Sequence, residues 1–484
     1  MTTLRTFIIL LFSFVLTACA SSKVPLNVLQ INSLDKVERN TGSFKGLEFL
    51  ADPIEGQVKN RVNILYLHGI GFTEDSTADQ LAGEFLGGIA GAYDLDETDG
   101  LVTTLCGTQA SSEMDQAKPH IYVRADSPRI YETVIPGSQL KLNDLVCMDK
   151  QVLNIDEGLE FVIYRIFWDN IFWDSLQFAH VGQDDDRGAS KEIAQQRRKY
   201  NRILKDDLVN YGFSDAVMYL GDAGIEIRNA VKGAMCSAAL DASGFTFEKQ
   251  GDSKKRLAAG SACDRATNTR LDINQFAFVT ESLGSKIMFD VMREAMTDGR
   301  STIHDDMIRN SETYMLANQL ALLSLSDIGS TPAKKANLYS DSARPRIIAM
   351  SEVNDFLTYE LIPFYEQLYK RSIRQDAAYN TNLTLTRRRR LIEDIGFNVV
   401  DMRLEFADKT IPFVDSFANP KDAHSGHAGE PELMKYILCG AENGKRREGE
   451  CLALEDVNTT PSFLSDLFST LDINPDDKPE KKAP

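Results

Sequence analysis

Apolar residues cluster in five short runs that lie far apart along the chain. Most of the runs are nearly continuous in apolar residues, as expected of strands that are covered on both faces of a sheet. The predicted strands are Val62–Leu67, Phe161–Phe167, Phe276–Val279, Arg346–Met350 and Asn398–Leu404. Two-sided burial and wide spacing favour parallel strands joined by long crossovers.

Helical patterns lie between these runs. After Ser282 the apolar residues recur at helical spacing. They are Ile287, Met288, Val291, Met292 and Ala295. Leu316–Leu325 and Asp355–Tyr369 are two further predicted helices. The alternation of strand and helix predicts an α/β fold with a mostly parallel central sheet flanked by helices.

We place the α/β domain at residues 60–440. Two stretches within it are too long for simple crossovers: residues 72–158, which are rich in turn-forming residues, and residues 184–274, which carry charge runs. We interpret both as helical or loop insertions that build a lid or a wall over the site. Residues 19–59 are predicted to be a tether and leading segment, and residues 441–484 a C-terminal extension whose last ten residues are disordered.

The first residues have the pattern of a secretory signal. Arg5 precedes an apolar run, residues 7–16, that is too short to span a bilayer as a permanent helix. The run ends in Leu16-Thr17-Ala18-Cys19, which resembles the lipobox of bacterial lipoproteins. Residues 1–18 are therefore predicted to be a lipoprotein signal peptide, with lipidation at Cys19; a plain signal peptide cleaved nearby is the alternative. Several acyl chains would hold the protein to a bilayer surface.

The lipoprotein interpretation implies a location in the bacterial cell envelope. In a Gram-negative source it implies a lipid-anchored protein of the outer membrane that faces the periplasm. The composition is typical of a globular protein: of 484 residues, 43% are hydrophobic and 26% are charged. The net charge of −18 argues against a surface that binds nucleic acid or anionic membranes.

Six cysteines remain when Cys19 is set aside, and an even number in an exported protein favours disulfides. Pairing between sequence neighbours predicts Cys106–Cys147, Cys236–Cys263 and Cys439–Cys451, although other connectivities stay open. No pair has the Cys-x-x-Cys spacing, so we expect neither a zinc site nor a redox site.

A predicted strand-to-helix corner carries the first candidate for chemistry. The strand at Phe276–Val279 runs into Thr280-Glu281-Ser282-Leu283-Gly284, and the amphipathic helix begins at once. A serine on so sharp a corner presents its hydroxyl, and the N-terminus of the following helix offers N–H groups to a developing negative charge. The alternative is an ordinary turn with a serine that caps the helix.

Two further motifs supply the remaining parts of such a site. A strand runs into His68-Gly69, a turn that could present the Ile70 N–H to an oxyanion together with the N–H of Leu283. A later strand is followed by Asp355, the candidate acid, with Glu352 as its closest competitor.

The base is expected last along the chain, after the final predicted strand. His424 and His427 lie in the loop beyond it, and imidazole can accept a proton and return it near neutral pH. The other histidines all precede the candidate acid. They are His68, His120, His180 and His304. His424 is the first candidate and His427 the alternative base.

The order serine, aspartate, histidine across successive strands resembles the α/β-hydrolase fold, in particular its esterase and lipase-like serine hydrolases. The resemblance covers roughly residues 60–440 and includes the Ala423-His424-Ser425 sequence, which favours His424 over His427. Thr280 and Ser285 replace glycines that are frequent in the family. The aromatic residue common after the histidine motif is replaced by His427.

The resemblance implies hydrolysis of carboxylic esters by Ser282, His424 and Asp355 through an acyl-enzyme, with no cofactor and no metal. The expected partners are an ester or acyl substrate, either a small molecule or a lipid, and a membrane held through the lipid anchor; no nucleic acid is expected. Two alternatives stay open: a catalytically inactive hydrolase-fold lipoprotein that serves as a binding or envelope module, and an acyltransferase or thioesterase with the same triad. Acyl-chain preference and oligomeric state stay open as well.

Overall fold

The fold is known from a computed structural model of the chain. The residues that it describes are 25–53, 60–69, 77–95, 121–124, 131–132, 139–140, 145–168, 214–221, 223–243, 256–258, 276–298, 302–327, 339–341, 343–372, 383–407, 418, 420–447 and 451–454.

A large mixed sheet forms the centre of the described structure. Its strands are β1 (Asn27–Ser33), β3 (Asp52–Pro53), β4 (Asn60–Leu67), β5 (Ile121–Arg124), β8 (Leu145–Asn154), β9 (Leu159–Phe167), β10 (Arg256–Ala258), β11 (Phe276–Glu281), β12 (Glu312–Leu316), β13 (Arg346–Glu352) and β14 (Asn398–Glu405). The remaining strands are β2 (Phe44–Lys45), β6 (Tyr131–Glu132), β7 (Gln139–Leu140), β15 (Gly440–Glu442) and β16 (Lys445–Arg446). Strand β15 lies between β2 and β16 and pairs with both, and β6 pairs with β7.

The strand order in the large sheet is β1-β14-β13-β12-β11-β4-β9-β8-β5-β10, with β3 beside β4. The six strands from β14 to β9 are mutually parallel, whereas β1 and β8 pair antiparallel with the strands at their two ends. The chain runs outward from β4 to β9 and then returns to place β11 on the other side of β4. Ligand sites in open parallel sheets lie at such a reversal, beyond the carboxyl ends of the strands.

The helices lie between the strands along the chain. They are α1 (Thr77–Ala92), α2 (Ser214–Leu220), α3 (Ala223–Ala242), α4 (Leu283–Asp298), α5 (Thr302–Ile308), α6 (Leu320–Leu323), α7 (Leu361–Ser372), α8 (Leu385–Ile395), α9 (Pro420–Ser425) and α10 (Pro431–Cys439). In the described part of the chain, 3-10 helices span Leu47–Leu50, Ser324–Asp327 and Leu452–Leu454.

Alternate residues of the central strands serve two hydrophobic cores. Phe276 and Phe278 of β11 face one core together with residues of α3 and α4, and Ala277 and Val279 face the other with residues of α1 and α10. All six residues of β11 are buried. Burial on both faces explains why the sequence of this strand is continuous in apolar residues rather than alternating.

All five predicted strands are confirmed, and the predicted mostly parallel sheet flanked by helices is observed. Among the six consecutive parallel strands, we did not predict β12, whose first residues Glu312 and Thr313 are polar. Residues 27–33, within the predicted tether, form the edge strand β1, which pairs with β14.

Two predicted helices begin later than expected. The segment Leu316–Leu325 starts as strand, turns at Ala317 with a φ of 47°, and becomes helical only at Leu320. Residues 355–360 are not helical. Helix α7 begins at Leu361, because the carboxylate of Asp401 on β14 accepts the N–H groups of Leu361 (2.8 Å) and Ile362 (2.7 Å). A helix begins where such an acceptor is available for its first free N–H groups.

Both predicted insertions are partly described. Residues 72–158 contain α1 and the long strand β8, so this stretch contributes to the central layer as well as to loops. Residues 184–274 contain α2, α3 and β10. Of the C-terminal extension, 441–447 and 451–454 are described and pack against the N-terminal segment through β2 and Glu48; the predicted disordered end lies outside the described residues.

The disulfide Cys439–Cys451 is confirmed. Cys236 is also disulfide-bonded, and its predicted partner Cys263 lies outside the described residues, as do Cys106 and the signal peptide with Cys19. The side chain of Cys147 is likewise not described. Within the described ranges, none of the helices is long and apolar enough to cross a membrane.

Candidate active site

Ser282 lies at the corner between β11 and α4, at the carboxyl-end edge of the sheet. Its φ is 52°, in the left-handed region that residues other than glycine seldom occupy. Two backbone hydrogen bonds hold the corner: Ser282 N–H donates to the Leu316 carbonyl (2.9 Å), and Ser285 N–H donates to the Ser282 carbonyl (3.0 Å). A strained residue persists only where its surroundings fix it, which is typical of functional sites.

Two glycines allow the backbone to approach this corner. A Cβ at Gly69 would lie 2.5 Å from the Cβ of Ser282, and a Cβ at Gly284 would lie 2.6 Å from the carbonyl oxygens of Leu67 and His68. A glycine at position 284 is therefore required by the close packing of α4 against the end of β4.

Thr280 and Ser285 contact each other. They occupy the two positions where glycines are frequent in the family that the sequence resembles. Their hydroxyl oxygens are 3.2 Å apart and both side chains are buried. Each hydroxyl therefore satisfies the other, and neither leaves an unpaired polar group in the core. The pair joins the strand before Ser282 to the first turn of the helix after it.

The side chains of Ser282, His424 and Asp355 form one hydrogen-bonded chain. The oxygen of Ser282 lies 2.8 Å from Nε2 of His424, and Nδ1 of His424 lies 2.7 Å from Oδ2 of Asp355. Because the carboxylate can only accept, Nδ1 carries the proton, and Nε2 accepts the hydroxyl of Ser282. The second oxygen of Asp355 accepts the Leu357 N–H at 2.9 Å, which fixes the carboxylate.

The burial of these groups is graded. The Asp355 side chain is 1% exposed and that of His424 is 19% exposed. The acid is therefore shielded from water, which strengthens its interaction with the imidazole. The imidazole remains partly exposed, so a bound molecule could reach it.

The two competing residues have other contacts. His427 is fully buried, its Nδ1 donates to the His424 carbonyl (3.1 Å), and its ring packs edge-on against Phe406. Burial lowers its pKa to about 4, so it is neutral at neutral pH. Glu352 accepts backbone N–H groups of Asn354 and Phe406 and does not contact His424 in the described contacts. The structure thus brings His424 and Asp355, rather than His427 or Glu352, to Ser282.

The His68-Gly69 turn lies beside Ser282, as its predicted role requires. His68 Nδ1 contacts the Gly69 carbonyl (2.9 Å), its ring stacks on Trp168, and the indole N–H of Trp168 donates to the His68 carbonyl (3.2 Å). Leu283 is the first residue of α4, and the first N–H groups of a helix have no intrahelical acceptor. Ile70 lies outside the described residues.

Gln319 is a residue of the site that we did not predict. It follows the missed strand β12, is buried, and places its side-chain nitrogen 3.5 Å from Nε2 of His424, the atom that contacts Ser282. Its amide therefore lies beside the contact between His424 and Ser282. The sequence signal would have been the polar pair Asn318-Gln319 shortly after a strand, but β12 itself was not predicted.

One described cluster has metal-ligand residue types: Glu48, Cys439 and Cys451. The two sulfurs are bonded to each other, and Glu48 accepts the Tyr93 hydroxyl (2.7 Å) and the N–H groups of Leu452 and Ala453. A disulfide offers no thiolate, so this cluster is a structural contact between the C-terminal extension and the N-terminal segment.

Comparison of the sequence with protein-family models, with curated proteins and with solved structures finds no match.

Proposed function

We propose that the protein is a serine hydrolase of the α/β-hydrolase fold that cleaves carboxylic esters through an acyl-enzyme. The observation that carries the proposal is the hydrogen-bonded chain from Ser282 through His424 to Asp355, whose residues lie on three separate segments that follow β11, β14 and β13. Nucleophile, base and orienting acid in this geometry define the triad regardless of the surrounding chain.

The first half-reaction follows from the contacts. His424 Nε2 takes the proton of Ser282 while the serine oxygen attacks the ester carbonyl carbon, and Asp355 stabilises the resulting imidazolium. The imidazolium then gives that proton to the departing alkoxide as the carbon–oxygen bond to the alcohol breaks. The acyl group remains on the serine as an ester.

The second half-reaction uses the same groups. His424 takes a proton from water, the hydroxide attacks the acyl-enzyme carbonyl, and the proton returns to Ser282 as the acid leaves. The negative oxygen formed in both halves would be held by the Leu283 N–H at the start of α4, with the Ile70 N–H as the predicted second donor. No step needs a metal or an organic cofactor.

The fold assignment within this proposal is supported by topology. Six parallel strands in the order β14-β13-β12-β11-β4-β9 have Ser282, Asp355 and His424 after β11, β13 and β14, in the chain order of α/β-hydrolases. The switch in strand order falls between β4 and β11, next to Ser282.

The lipid anchor and the envelope location are part of the proposal and are supported by the sequence around Cys19. An anchored enzyme of this kind would face the periplasm from the outer membrane and would act on ester or acyl substrates, either small molecules or lipids. Metabolic labelling with an alkyne fatty acid should modify the full chain, and Cys19→Ser should abolish the labelling.

Hydrolysis of a series of p-nitrophenyl esters of increasing acyl length tests the activity. We expect the full chain to hydrolyse at least one ester and Ser282→Ala to reduce kcat by roughly 10⁴-fold or more, as loss of a triad nucleophile does. Adding an alcohol acceptor separates hydrolysis from acyl transfer. Equal rates for the wild type and Ser282→Ala would contradict the proposal.

A further inference from the structure

Strand β1 brings the N-terminal segment to the edge of the sheet that carries the candidate active site. It runs antiparallel to β14, and its first residue, Asn27, pairs with Glu405, the last residue of β14. Asn27 therefore lies at the carboxyl-end edge of the parallel strands, the edge at which Ser282 follows β11. The N-terminal segment joins the sheet on the side of the molecule where the triad lies.

The residue proposed to carry the lipid anchor is close to this point along the chain. Cys19 lies eight residues before Asn27, and an extended chain of that length spans at most about 28 Å. A domain of this size has a radius of gyration of about 21 Å, which corresponds to a diameter of roughly 55 Å. A lipid on Cys19 would therefore let the carboxyl-end edge reach a bilayer, whereas the tether is too short for the opposite edge to lie against it.

Three exposed apolar side chains lie at the same edge, in the segment 353–359 that follows β13. They are Val353, Phe356 and Tyr359, which are 46%, 49% and 50% exposed. Single exposed apolar residues are normal on a protein surface and need no explanation. Three of them within seven residues indicate a surface that contacts another apolar body.

Hydrogen bonds place this segment against the strands that receive the N-terminal chain. The Val353 N–H donates to the Leu404 carbonyl (2.9 Å), and Leu404 of β14 pairs with Val28 of β1. The side-chain amide of Gln30 on β1 donates to Glu360 (3.2 Å), directly after the segment. The exposed apolar residues therefore lie beside the point where a lipid-anchored tether would enter the sheet.

The charge of the chain indicates which kind of bilayer surface fits this edge. A net charge of −18 opposes contact with a surface of anionic lipids. Beside the segment, the Arg403 guanidinium forms an ion pair with Glu360 and is not free for a lipid phosphate. A bilayer of zwitterionic lipids has no net charge to repel the protein. The ring of an exposed tyrosine such as Tyr359 suits the boundary between its headgroups and acyl chains.

We propose that the carboxyl-end edge of the sheet faces the bilayer that holds the N-terminal anchor, with Val353, Phe356 and Tyr359 in contact with lipid. The inference rests on the proposed function and its lipid anchor, and it names the substrate class: carboxylic esters of lipids in that same bilayer. Strand β11 is the fourth strand from β1 in the sheet, so Ser282 lies roughly 19 Å along this edge from the start of β1.

The reaction on a lipid follows the two half-reactions of the proposed function. The acyl group passes from the lipid to the oxygen of Ser282 as the ester bond breaks, and the lipid alcohol leaves with the proton from His424. Water then attacks the acyl-enzyme and releases the fatty acid, and the proton returns to Ser282.

Tryptophan fluorescence in vesicles tests the orientation without requiring activity. The lipidated full chain is placed in phosphatidylcholine vesicles with brominated acyl chains, which quench tryptophans that contact them. Phe356→Trp is the probe. Val37→Trp is the matched control, because Val37 is 53% exposed and follows β1 at the opposite, amino-end edge of the sheet. We expect the fluorescence that Phe356→Trp adds to the wild type to be lost, and the fluorescence that Val37→Trp adds to be retained.

Hydrolysis rates test the substrate class. Val353→Glu should slow the release of fatty acid from phosphatidylcholine vesicles roughly tenfold, since a carboxylate opposes contact with hydrocarbon. It should leave hydrolysis of a short, water-soluble p-nitrophenyl ester unchanged. Val37→Glu should leave both rates unchanged, and Cys19→Ser should slow only the reaction on vesicles.

The two measurements separate the possible failures. Quenching of both tryptophan variants alike, or of neither, overturns the orientation, whatever effect Val353→Glu has. Hydrolysis of the soluble ester without hydrolysis of vesicle lipid overturns the substrate class, and so does a purified chain that carries no lipid at Cys19. Quenching of Phe356→Trp alone, with neither ester hydrolysed, supports the orientation and contradicts the proposed function instead.

Discussion

At the scale of single residues, Gly284 is a position at the corner between β11 and α4 that has no space for a side chain. A Cβ there would meet two backbone oxygens at 2.6 Å, and neither oxygen can move without shifting the end of β4. We expect Gly284→Ala to lower the free energy of unfolding by about 2–3 kcal/mol, as overpacking of a rigid core does. Urea unfolding followed by circular dichroism measures the change.

Gly83 in α1 is the matched control, since a Cβ there meets nothing within 4 Å. Gly83→Ala should stabilise the protein by about 0.5–1 kcal/mol, because alanine is favoured over glycine in helices. Equal effects of the two substitutions would show that the contact of α4 with β4 is not tight.

The sequence predicted three of the residues at this site because their order along the chain follows the order of the strands. Ser282, Asp355 and His424 each follow a recognisable apolar run. Gln319 was not predicted as a site residue, because what marks it is burial beside His424, a property of the assembled sheet that no local pattern expresses.

At the scale of secondary-structure elements, the start of α7 depends on a residue from another strand. Asp401 of β14 accepts the first two N–H groups of α7 through its two carboxylate oxygens. Asp401→Ala would leave both groups buried without an acceptor and should destabilise the protein by about 2–3 kcal/mol. Asp401→Asn, which keeps one acceptor oxygen, should cost less.

The same substitution should affect the site, because the turn that carries Asp355 runs directly into α7. Unfolding free energy and fluorophosphonate labelling, measured on the same samples, test this prediction. Equal stability of Asp401→Ala and wild type would mean that the cap does not hold the helix in place.

Element boundaries show where a local pattern is insufficient. Leu316–Leu325 has apolar residues at helical spacing, yet β12 ends within it, because Ser282 N–H is paired with the Leu316 carbonyl and the chain turns at Ala317. The edge strand β1 was missed because only Ile31 and Ser33 in it are buried and polar side chains interrupt the apolar residues. Strands buried on both faces were predictable where nearly all their residues are apolar. Strand β12 is buried throughout as well, but it begins with the polar Glu312 and Thr313.

At the scale of the whole molecule, buried ionisable groups connect stability to pH. The pKa of His427 is lowered to about 4 by burial, so the unfolded chain takes up its proton first as pH falls. Its contribution to the free energy of unfolding is complete above pH 6.5, near the ordinary pKa of histidine. The contribution is lost as pH falls from there through about 4, and the total loss is about 3 kcal/mol.

The buried carboxyls Glu281, Glu312 and Asp401 change the stability with pH in the opposite direction. Burial raises their pKa values to about 7, so stability is lost as pH rises from the ordinary carboxyl range through about 7.

The difference in unfolding free energy between wild type and His427→Gln isolates the contribution of the buried histidine. We expect the wild type to lose stability relative to the variant between pH 6.5 and 4; a constant difference would contradict the assignment of His427 as a buried neutral ring.

The most direct test of the account is the site of covalent modification by a fluorophosphonate probe, read by peptide mass spectrometry of the full chain. Ser282 should carry the adduct in the wild type, Ser282→Ala should carry none, and His424→Gln should react far more slowly, because the hydroxyl then has no base at 2.8 Å. An adduct on a different serine, or a His424→Gln variant labelled as fast as the wild type, would contradict the account.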